Sequence, residues 1–94
     1  MISLPEVFNL KQNYPNPFNP STNIRFELPN EGEVQISIYD IRGSLVTELV
    51  SGWMEAGYHQ LQWNGSHTAS GIYFIQMIAD NGSYHKTMKI SLIK

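Results

Sequence analysis

Along most of the chain apolar and polar residues alternate with a period of two, the pattern of strands that bury one face. Asn23-Ile24-Arg25-Phe26-Glu27-Leu28 places Ile24, Phe26 and Leu28 on one side, and Pro29-Asn30-Glu31-Gly32 ends the run. Val34, Ile36 and Ile38 then alternate with Gln35, Ser37 and Tyr39. Asp40-Ile41-Arg42-Gly43 reads as a hairpin turn, Gly43 supplying the positive φ such loops need, and a return strand follows near Leu45 to Val50. Gly52 and Gly57 bracket an expected loop that carries Trp53. Tyr58 to Trp63 forms the next strand and Asn64-Gly65 the next turn. Gly71 opens the most hydrophobic segment, Ile72-Tyr73-Phe74-Ile75-Gln76-Met77-Ile78. Both of its faces are largely apolar, which predicts a central strand covered on both sides. After a turn at Asp80-Asn81-Gly82, the last strand carries Met88, Ile90 and Leu92 on one face and Thr87, Lys89 and Ser91 on the other.

No segment sustains a helical period. Short strands separated by turn signals at intervals of roughly 8–12 residues predict an all-β chain, an Ig-like antiparallel β-sandwich of about seven strands. The block from Asn13 to Thr22 is different, because prolines and asparagines crowd it. Each X-Pro pair pushes its first residue toward extended or turn conformations, and Asn side chains mimic backbone turns. It is expected to be a rigid lead-in folded against the sheet. A polyproline ligand helix is disfavoured because the prolines alternate with Asn.

Composition narrows the function classes. A chain of 94 residues makes one domain, and at this size folding buries only roughly 60–65% of the unfolded surface. The formal charge is −2 with no basic run, so nothing attracts nucleic acid or an anionic membrane. There is no cysteine, which removes disulfides, thiolate nucleophiles and Cys-ligated zinc. No stretch approaches the roughly 20 apolar residues of a membrane span, so no membrane insertion is expected. Met1 to Pro5 lacks the charged and apolar regions of a signal peptide. Any export signal is therefore expected on a longer parent chain, with residues 1–8 a linker from that parent or a cloning remnant.

Candidate chemistry is sparse. His59, His67 and His85 do not pair at metal-ligand spacing. No Gly-x-Ser-x-Gly elbow occurs, and Glu27, Glu31, Glu33, Asp40, Glu48, Glu55 and Asp80 are scattered over turns and exposed strand positions. No catalytic residue, cofactor or metal is expected, and the protein is read as not an enzyme. Asp80-Asn81-Gly82 and Asn64-Gly65-Ser66 are oxygen-rich, but turn chemistry explains them more simply than calcium ligation does. Trp53 and Trp63 are the candidate platform for a sugar, with Trp53 the better placed for exposure.

The run from Asn9 through Asn13-Tyr14-Pro15-Asn16-Pro17-Phe18-Asn19-Pro20 to Phe26 resembles the opening of the type A C-terminal sorting domain of the bacterial type IX secretion system. It is similar also to the start of Ig-like domains named after the flagellar hook-capping protein. The likeness continues in order. Val34 to Gly43 is similar to a strand-turn motif, and Ala56-Gly57-Tyr58-His59 through Trp63-Asn64-Gly65 to a Gly-x-His…Trp-Asx-Gly motif. Ser70-Gly71-Ile72-Tyr73 is similar to a Ser-Gly-x-Tyr motif, and Lys89-Ile90-Ser91-Leu92-Ile93-Lys94 to a terminal Lys-Met-x-Leu-x-Lys signal. The resemblance spans residues 9–94, and the chain stops at Lys94, where family members end. Two departures stand out. The loop between Trp63 and Ser70 is short, and Ile90 and Ser91 replace a common Met and a common aliphatic residue.

What the resemblance implies is a non-catalytic address label on a cargo domain that precedes it. The cargo would cross the inner membrane, fold in the periplasm and pass the outer-membrane type IX translocon to the cell surface or medium. A sortase-like protease removes the label in many members. Recognition is then expected at Lys89, Ile90, Leu92 and Lys94. Asn13, Pro15, Pro17, Phe18, Asn19, Pro20, Gly43, Gly57, Trp63, Gly71 and Tyr73 are expected to shape the domain. The competing expectation is an Ig-like carbohydrate-binding or spacer module of a secreted hydrolase.

Overall fold

A computed structural model describes residues 3–94. Among the described residues seven strands form two antiparallel sheets packed face to face: β1 (Asn9–Leu10), β2 (Ser21–Leu28), β3 (Gly32–Tyr39), β4 (Leu45–Met54), β5 (Gly57–Asn64), β6 (Gly71–Ala79) and β7 (Tyr84–Leu92). The three-stranded sheet runs β1-β2-β5 and the four-stranded sheet β4-β3-β6-β7. The all-β sandwich expected from the alternation is the fold observed. Each sheet turns its period-two apolar face inward. Ile24, Phe26 and Leu28 of β2 meet Val34, Ile36 and Ile38 of β3, with Ile75 and Met77 of β6 and Ile90 and Leu92 of β7 completing the core. Each such side chain contributes roughly 1.5–3 kcal/mol by leaving water.

Three details differ from the sequence reading. First, β6 is central in its sheet, between β3 and β7, but only its inner face is covered. Tyr73, Ile75, Met77 and Ala79 are buried, whereas Ile72 is exposed and Phe74, Gln76 and Ile78 are half-buried. The fold has two layers, so no third layer lies over the outer face. Its apolar side chains are shielded by strand neighbours instead, as where Phe74 pairs with Tyr39. Second, the expected loop from Gly52 to Gly57 is mostly strand. β4 continues through Gly52 and Trp53, paired with Val34 and Glu33, and only Glu55 and Ala56 link it to β5 across the sandwich. Third, Asn9 and Leu10 form a short strand against Glu27 and Phe26. Just ahead of it Pro5 is buried, and Phe8 stacks on Tyr84 at 5.9 Å between ring centroids.

Candidate functional site

Strand β7 is an edge strand, and an unpaired edge invites another strand unless it is guarded. Here both ends are guarded. At its start, the Lys86 ammonium sits on the inward-facing side and donates to the Leu10 carbonyl at 2.9 Å, while the Tyr84 hydroxyl accepts from Leu10 N–H at 2.9 Å. At its end, the proline-rich block lies along the strand. Phe18 N–H donates to Ser91 O and Ile93 N–H to Phe18 O, both at 2.9 Å, and Asn16 Oδ1 accepts from Ser91 N–H at 3.1 Å. Since Ser91 spends both backbone groups outward, the alternation of an antiparallel strand turns those of Lys89, Thr87 and His85 to the same side. The middle of β7 is therefore its open stretch.

The lead-in is built by a polar network and one plug. The Asn13 side chain is buried and donates to Thr22 Oγ1 at 3.0 Å and to Pro15 O at 3.2 Å, and Thr22 Oγ1 donates to Pro15 O at 2.8 Å. These bonds satisfy amide and hydroxyl groups that would otherwise be costly to bury. Phe18, 1% exposed, inserts into the core against Trp63 with centroids 5.5 Å apart. The Pro20 carbonyl accepts from Gly65 N–H at 2.8 Å. A side chain at Gly65 would meet Leu92 Cδ2 at 2.9 Å, so the turn after β5 sits tightly on β7. Pro17 and Asn19 point to solvent.

Other motif residues mark turns or the core. Gly43 has φ +83° in the β3–β4 turn, whose Asp40 carboxylate accepts from Arg42 N–H at 2.9 Å and Ser44 N–H at 3.0 Å. The Ser44 bond is the largest influence holding the Asp40 carboxyl below its ordinary value; desolvation opposes it, and Arg42 adds to the lowering. Trp63, 6% exposed, is edge-on to Tyr73, whose hydroxyl donates to Ala69 O at 2.6 Å. Trp63 is thus a core residue and no sugar platform, whereas Trp53 is 65% exposed. Gly57 opens β5 and Gly71 opens β6.

The four residues expected to carry recognition divide by face. Ile90 and Leu92 lie in the core. Lys89 and Lys94 are exposed, and Lys94 Nζ donates to Ser66 O at 2.7 Å while its backbone N–H donates to Ser70 Oγ at 3.0 Å. Asn16 and Lys86, which guard the edge, escaped the sequence reading because their partners are distant in the chain. His59 stacks on Phe26 at 5.1 Å, and His67 and His85 are exposed. Among the described residues no three His, Asp or Glu side chains are grouped to hold a metal ion.

No curated protein matches the chain. A solved chain from work on PorZ, described as an essential bacterial surface component of the type-IX secretion system of Porphyromonas gingivalis, superposes with a TM-score of 0.61 at 21% identity. The alignment covers 88% of this chain and 11% of that one, a likeness of fold. The family described as secretion system C-terminal sorting domain matches residues 12–91, from the residue before the buried Asn13 to the Ser91 that the lead-in grips. The chain belongs to the family of secretion system C-terminal sorting domains.

Proposed function

We propose that this domain is a non-catalytic address that sends a larger polypeptide, attached ahead of it, through the type IX outer-membrane translocon to the cell surface or medium. The observation that carries this reading is the family match over residues 12–91. In this reading the cargo passes through the periplasm and a sortase-like protease is the second partner. The sandwich would share its ancestry with the Ig-like domains of the hook-capping family.

The translocon reads the outer surface of β7. Lys89 presents its charge on the open stretch of that strand and Lys94 presents its own beside the loop from Ser66 to Ser70. Ile90 and Leu92, as core residues, hold the strand in register so that the lysines face outward. An extended partner segment would add to the backbone of Thr87 and Lys89, the mode by which exposed sheet edges take up peptides.

The test is a secretion assay. The whole chain is fused behind a signal peptide and a fluorescent reporter in a bacterium with a working type IX system. Lys89→Glu with Lys94→Glu leaves the core untouched, and circular dichroism of the purified domain checks that it folds. Reporter at the surface with the parent chain and retained in the periplasm with the double variant supports the reading. Surface delivery at equal levels removes the lysines from it. Retention of both sinks the sorting role.

A further inference from the structure

The end of the sandwich opposite the β3–β4 turn carries a cleft of about 490 Å³, lined by Phe8, Glu31, Glu33, Trp53, Asp80 and Asn81 among others. Its walls follow from strand register. Glu33 pairs directly with Trp53, and because Val34 is buried both side chains stand on the outer face. Such cross-strand neighbours have Cβ atoms about 4.5–5.5 Å apart. The β6–β7 turn brings Asp80 and Asn81 to the other side.

One exposed tryptophan is ordinary on a protein surface. This one borders unneutralised charge. Among the described residues the ion pairs are Lys11–Glu27 and Arg42–Asp40, so Glu31, Glu33 and Asp80 have no cationic partner. No lining residue is basic. Among the described residues no aromatic ring stacks on the Trp53 indole, while Trp63 packs on two. The cleft thus combines an open aromatic face with concentrated negative potential, which attracts a cation and repels phosphate- or carboxylate-bearing ligands.

We propose that this cleft docks an arginine side chain of a partner polypeptide, its guanidinium stacked on Trp53 and forked onto a carboxylate of Glu31, Glu33 or Asp80. Arginine fits better than lysine because its planar group covers an indole face and donates two parallel hydrogen bonds at once. A neutral sugar would use the indole but would gain nothing from the charge. A neighbouring cleft of about 320 Å³ shares Glu33 and Asn81 and continues over Gln35, Ser51 and Ile78. It leaves room for the extended backbone that follows the arginine. The site is remote from the end of β7, so it does not depend on the sorting reading.

Nuclear magnetic resonance of the whole chain provides the test, with an acetylated Gly-Ser-Arg-Ser-Gly peptide as probe. Its counterpart carries citrulline, which keeps the shape and loses the charge. The expected result is a saturable shift of the Trp53 indole N–H with that of buried Trp63 unmoved. Glu33→Gln should weaken binding by about tenfold, and Trp53→Ala should abolish the accompanying shifts of Gly32 and Asn81 amides. Three outcomes overturn the proposal. One is an equal response to the citrulline peptide or to a neutral oligosaccharide; another is shifts that survive in Trp53→Ala. The third is no response at peptide concentrations of about 10 mM, a range that would still reveal millimolar affinity.

Discussion

Replacing Phe18 with alanine removes a fully buried ring from between the sheets and loosens the segment that it anchors. Truncation of a core Phe costs about 3–5 kcal/mol. Phe18 belongs in the middle of that range, because it loses its tilted pairing with Trp63 as well as its buried area, a term of about 0.5–1.5 kcal/mol. A loss of about 4 kcal/mol lowers Tm by about 15–30 °C in a domain of this size. It also consumes much of a total stability of about 5–15 kcal/mol. Urea denaturation followed by tryptophan fluorescence measures the loss, and Phe18→Leu, which refills much of the space, should recover more than half of it. Amide exchange supplies the second readout. Ile93 N–H, bonded to Phe18 O, should exchange faster in Phe18→Ala under conditions where both proteins are folded. A loss below about 1 kcal/mol, or unaltered exchange at Ile93, would refute the picture of Phe18 as the anchor that seats the lead-in on β7.

Two further predictions concern polar contacts. Tyr73→Phe deletes the bond to Ala69 O and should cost about 1 kcal/mol in chemical denaturation with the fold unchanged; no loss would mean that the bond is not made in solution. For Asp40, the folded carboxyl titrates below its ordinary value of 3.8, chiefly through the Ser44 N–H bond and then through Arg42. A depressed folded pKa means that its contribution is complete above about 3.8 and is lost as pH falls through the folded value. A carboxyl-carbon titration by nuclear magnetic resonance should place the Asp40 midpoint below 3.8, and a midpoint at or above it would refute the turn geometry.

How much was legible depended on how local the cause was. Ile24, Phe26 and Leu28 were readable as one buried face because a period of two maps directly onto the two sides of a strand. The outer face of β6 was misread because Phe74 and Ile78 have the composition of covered residues. Composition cannot distinguish a third layer from shielding by neighbours such as Tyr39. Gly52 was read as punctuation, yet pairing with Val34 carries β4 through it, since ladder bonds override a local preference. Phe18 has no periodic neighbours to mark it as core, because its partners Trp63 and Leu92 belong to distant strands. The split of the terminal signal into inward Ile90 and Leu92 and outward Lys89 was already present in the alternation. The guarding of that strand by Asn16 and Lys86 was not.

The grip of the lead-in on β7 sets a timetable for synthesis. A ribosome makes Asn16 long before Ser91, 75 positions later, and the hydrogen bond between them needs both. Until the last strand emerges, the Phe18 ring has neither Leu92 nor the edge of β7 beside it, although β2 and β5 can already pair. Closure over so long a stretch is entropically slow compared with forming the hairpins between β3 and β4 or β6 and β7. The Phe18 ring can therefore meet Trp63 as soon as β5 has formed, but its seat against Leu92 is completed only when β7 docks.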